Sequence, residues 1–121
     1  PHSIKEGSII KPHIHWIPKS NEAGKTVRWG MAYSFANIGA LFPVETTIYV
    51  DAVTNNNADT HLVGYFPDIS LSAMKISSIL IIKVFRNSSS GFDTYTDDAY
   101  LLEFDLHIEK NTIGSREVLT K

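Results

Sequence analysis

Val27-Arg28-Trp29-Gly30-Met31-Ala32-Tyr33-Ser34-Phe35 alternates large apolar residues with small or polar ones. Successive side chains of an extended chain point to opposite faces. Val27, Trp29, Met31, Tyr33 and Phe35 therefore share one face, and Arg28, Gly30, Ala32 and Ser34 share the other. The pattern predicts a long strand with one buried face. The same period recurs on either side of it. Ile10, Pro12, Ile14 and Trp16 alternate with Lys11, His13 and His15. Thr46, Ile48 and Val50 alternate with Thr47, Tyr49 and Asp51. Tyr100, Leu102, Phe104, Leu106 and Ile108 alternate with Leu101, Glu103, Asp105, His107 and Glu109. Thr60–Phe66 is a shorter candidate. Ile79–Phe85 is nearly continuous and β-branched, as expected of a well-buried strand.

Turn chemistry separates these segments. Ser20–Gly24, Asn55–Asp59 and the stretch from Ser88 to about Asp98 read as loops, and Pro43 and Pro67 as breaks. A helical turn is expected only at Ser70–Lys75, capped by Asp68 or Ser70. Six to eight strands and little helix predict an all-β fold, an antiparallel β-sandwich or jelly roll, as a single domain over residues 1–121. A chain that begins with Pro1 is expected to be a fragment of a longer one, or to have lost its initiator Met. Small sandwiches have open edges, and association of copies is one way to cover them.

Composition excludes some functions. Eleven Lys and Arg oppose thirteen Asp and Glu, for a net charge of −2. That gives no overall basic field for nucleic acid. The chain has no cysteine, so disulfides, thiol catalysis and iron–sulfur clusters are out. Its longest apolar run, Ile79–Ile82, is far too short for a transmembrane helix, and no membrane insertion is expected. There is no Gly-x-Ser-x-Gly, no P-loop and no dinucleotide-type glycine fingerprint. No enzymatic activity and no cofactor are expected.

Two groups of residues invite a functional reading. His13 and His15 lie at i and i+2 on one strand face, with Cα atoms about 6.6 Å apart. His107 and Asp105 occupy the polar face of another segment. If the two strands were neighbours, His13, His15, Asp105 and His107 would converge. The expectation is a structural polar cluster; the alternative is a metal site of His13, His15 and His107. Three crowded imidazoles would repel once protonated, so mild acid should loosen the fold unless Glu103, Asp105 or Glu109 pairs with them. The second group is the loops. Asn55, Asn56, Asn57, Phe92 and Tyr95 are the candidates for a receptor-binding surface, because binding residues concentrate on loops held by a rigid scaffold. Trp16 and Trp29 share strand faces with apolar neighbours and are expected in the core.

The stretch from Gly7 through His13-Ile14-His15 and Glu22 to Gly30 resembles the first motif of the cupins, metal-binding jelly rolls. The second cupin motif needs Pro-x-Gly ahead of a His, and Leu102–His107 has neither; only the spacing of His107 to Asn111 fits. A broader likeness spans Pro1–Gly7 with Pro12–Trp16, then Phe85-Arg86-Asn87, Asp93–Leu102, Asp105–His107, and Ile113–Glu117 with Lys121. It resembles a jelly-roll domain at the C-terminal end of tailed-bacteriophage virion proteins such as tail fibres and spikes. That resemblance implies a homotrimer on the virion surface, without catalytic residues; the partner expected for it is a host cell-surface glycan. The competing expectations are a cupin-like metal-dependent enzyme and a carbohydrate-binding module.

Overall fold

The computed structural model describes residues 8–70, 72–75 and 77–108. Pro1–Gly7, Glu109, Asn111 and the segment 113–121 lie outside the described residues. Seven strands run in chain order: β1 (Ile9–Pro18), β2 (Thr26–Ala36), β3 (Thr46–Val53), β4 (Leu62–Tyr65), β5 (Ile69–Ser70), β6 (Ile79–Arg86) and β7 (Ala99–Ile108).

They form two antiparallel sheets. In one, β1 is central, with β7 on one flank and β4 and β5 end to end on the other. Pro67 separates β4 from β5, as a residue without an amide donor should. In the other sheet β2 lies between β3 and β6. The apolar faces of β1 and β2 meet: Ile10, Ile14 and Trp16 pack with Val27, Trp29 and Met31 in one buried cluster. The two indole rings lie 5.9 Å apart. The β-sandwich and the core placement of both tryptophans agree with the strand alternation. The described residues give seven strands, one fewer than the double Greek key of a jelly roll.

Three local expectations are corrected. Ile79–Phe85 is buried on one face only: Ile79 is 60% exposed and Ile81 54%. Among the described residues it forms an edge strand, and Ile79, Ile81 and Lys83 point away from the sandwich. The alternation of Tyr100–Ile108 also breaks. A bulge lets β7 advance two residues while β1 advances one, so Leu101 opposes Trp16 and Glu103 opposes His15. The extra residue, Leu102, and Tyr100 are thereby turned outward. The described residues of Ser70–Lys75 are not helical. Ser70 ends β5, and the turn after it is tied to Asn37, which donates to Ala73 O and accepts from Lys75 N.

Between β6 and β7 the sheets part around an apolar cavity of about 430 Å³, lined by Ile10, Met74, Leu80, Ile82, Leu106 and Ile108.

Candidate functional site

The histidine cluster lies on the outer face of the β1 sheet. With Ile10, Ile14 and Trp16 turned into the core, the pleat turns Lys11, His13 and His15 outward. Antiparallel pairing then selects their neighbours. His13 stands between Tyr65 on β4 and Asp105 on β7; His15 stands between Val63 and Glu103. His107 pairs with Lys11, one step along the same face.

His13 Nε2 and His15 Nε2 both reach one oxygen, Asp105 Oδ2, at 3.1 and 2.9 Å. The other nitrogen of His15, Nδ1, lies 2.6 Å from His61 Nε2. The His107 ring meets the His13 ring edge-on at 4.6 Å, and Tyr65 covers it from the opposite side at 5.6 Å. His13 is consequently only 6% exposed although it faces outward.

The carboxylates are polarised by one another. A hydrogen bond from Glu103 holds Asp105 below its ordinary range; burial opposes this, and the His15 bond and the nearness of both imidazoles reinforce it. The same bond pushes Glu103 up, because Glu103 is the partner that keeps its proton.

The predicted convergence of His13, His15, Asp105 and His107 is therefore present, but the ligand-bearing atoms that come together are those of His13, His15 and Asp105. His61 was not anticipated. It lies just ahead of β4, and only the pairing of β4 with β1 brings it to His15. The cupin-like Glu22 is elsewhere: it sits in the connection between β1 and β2, 3.8 Å from Lys25.

The loop candidates divide. Three connections, 19–25, 54–61 and 87–98, are laced together at one end of the sandwich. Gly24 N donates to Thr54 O, Lys19 N to Asp98 O and Asp59 N to Pro18 O. Asn56 and Asn57 are exposed there; Asn55 accepts the Asn57 amide in a local turn. Phe92 is 64% exposed and stacks on the Arg28 guanidinium at 4.5 Å, while Tyr49 packs against that guanidinium at 4.2 Å. Tyr95 does not belong to any exposed surface. It is 3% exposed, and its hydroxyl accepts the Ser20 amide at 2.9 Å. A phenol whose polar tip is satisfied packs as an apolar ring.

Comparison with protein-family models, curated proteins and solved structures finds no match to the chain.

Proposed function

We propose that this chain is a binding and assembly module: a trimer-forming distal domain of a phage tail fibre, spike or similar virion surface protein, presenting its laced loops to a host cell-surface glycan. The observation that carries the binding half is Phe92. Its ring is braced by Arg28, which is itself braced by Tyr49 and lies 3.5 Å from Asp51. An aromatic ring held in place from beneath loses little freedom when a sugar face stacks on it. Asn56 and Asn57, at the same end of the sandwich, offer amide donors and acceptors for hydroxyl groups.

The assembly half is supported by the edges. Ile79 and Ile81 on β6, and Tyr100, Leu101 and Leu102 on β7, are exposed, and both strands are sheet edges among the described residues. Exposed apolar residues beside open edges suit association with further copies of the same chain. The resemblance to phage virion domains points the same way and adds the number three.

A glycan array probed with the chain and with Phe92→Ala tests the binding half. Discrete glycan signals that disappear in Phe92→Ala, with an unchanged melting temperature, are expected. Signals that persist undiminished in Phe92→Ala, or no glycan signal at all, contradict it.

A further inference from the structure

We infer that His13 Nε2, His15 Nε2 and Asp105 Oδ2 bind one divalent first-row transition ion, which clamps β1 to β7. The inference is independent of the glycan and trimer reading. It rests first on spacing. An ion held at about 2.0–2.1 Å by each ligand atom places neighbouring ligands about 3.0 Å apart in octahedral geometry and about 3.3 Å apart in tetrahedral geometry. The two imidazole nitrogens already lie 3.1 and 2.9 Å from the shared carboxylate oxygen. All three ligand atoms lie within 4.8 Å of one another.

The donor set narrows the ion. Two imidazoles and a carboxylate suit zinc, iron(II), cobalt or nickel, whereas calcium and magnesium take oxygen ligands. The surroundings are also built. His13 is packed among His15, Tyr65 and His107, so its ring direction is fixed before any ion arrives. His15 has an outer partner in His61. A ligating imidazole normally gives its second N–H to such a partner, which orients the ring.

The protons balance within the histidines. Without the ion, His15 Nε2–H donates to Asp105 and His61 Nε2–H donates to His15 Nδ1. With the ion on His15 Nε2, the His15 proton resides on Nδ1 and donates to His61 Nε2, and His61 carries its proton on its own Nδ1. The bond between the two rings reverses, and no proton leaves the pair. An ion on His13 Nε2 leaves the His13 proton on Nδ1. His107 supplies no ligand atom: it packs edge-on against His13 and pairs with Lys11.

Calorimetric titration of the 121-residue chain with zinc ions tests this, with thermal melting in parallel. One ion per chain and a raised melting temperature are expected. Asp105→Asn and His15→Gln should each weaken binding by more than the roughly 10–100-fold that loss of an outer partner costs, and His61→Gln should fall within that range. His107→Gln removes a ring packed on His13 but no ligand atom, so it should weaken binding by no more than the roughly 10–100-fold of an outer partner. Cobalt(II) absorption gives a second readout and should be lost in the same variants. If either variant fails to fold, the other decides. No saturable binding at millimolar zinc overturns the inference, as does affinity unchanged in the folded ligand variants. Affinity lost in His107→Gln and retained in Asp105→Asn overturns the ligand set named here.

Discussion

Arg86 and Asp93 form a two-point ion pair across the root of the 87–98 loop: Nη2 lies 2.8 Å from Oδ1, and Nε lies 3.0 Å from Oδ2. The Asp93 side chain is 1% exposed and also accepts the Arg28 amide at 2.9 Å. Arg86 goes on to the carbonyls of Asp97 and Tyr95. One guanidinium thus shapes the loop that presents Phe92.

Arg86→Ala strands a buried carboxylate. It should cost about 3–5 kcal/mol, the range for removing one partner of a buried pair. Chemical denaturation measures it. A cost near zero would mean that water reaches Asp93 and that the pair does not shape the loop.

The same pair sets a pH dependence. Burial pushes the Asp93 carboxyl up, but the Arg86 fork and the Arg28 amide outweigh it and hold Asp93 below the usual carboxylate range. A depressed carboxylate stabilises the fold fully above its unfolded value, about 3.9, and that stability is lost as pH falls through the folded value. The melting temperature of the wild type should therefore fall below about pH 4. In Asp93→Asn this part of the fall should be missing. An identical acid profile in the two proteins would contradict the assignment.

Trp29→Ala should cost about 3–5 kcal/mol through lost transfer energy and the cavity left beside Trp16. The Trp29 indole N–H is buried without a hydrogen-bond partner among the described residues. Trp29→Phe removes that group and should cost less than Trp29→Ala. An unmoved denaturation midpoint in Trp29→Ala would contradict the core placement.

Gly30 lies beneath the Phe85 ring. A Cβ there would sit 2.7 and 2.9 Å from Phe85 Cε2 and Cε1, so Gly30→Ala must displace the ring from its edge-on contact with Tyr49. Overpacking of this kind typically costs about 1–3 kcal/mol. Phe85→Ala frees the space, so the second change, Gly30→Ala in a Phe85→Ala background, should cost little. A double-mutant cycle reads the difference, and additive costs would exclude the contact.

The sheets and the core were legible because alternation is a local property: Ile10, Ile14, Trp16, Val27, Trp29 and Met31 declare their face by spacing alone. The outward turn of His13 and His15 was legible for the same reason. What escaped depends on partners distant in the chain. Whether Ile79–Phe85 is covered on both faces is decided by what packs on the outer face of its sheet, and among the described residues no further layer covers it there. The bulge at Leu102 is a register choice between β1 and β7 that alternation cannot carry. Tyr95 looked like an exposed loop aromatic because its satisfying partner, Ser20, lies in another connection. His61 joined His15 only through the pairing of β4 with β1.

The central claim, a trimer-forming module, is tested most directly by the mass of the chain in solution. Light scattering at micromolar concentration should give three times 13.5 kDa, holding steady as the sample is diluted severalfold. A mass of 13.5 kDa across that range would contradict the account.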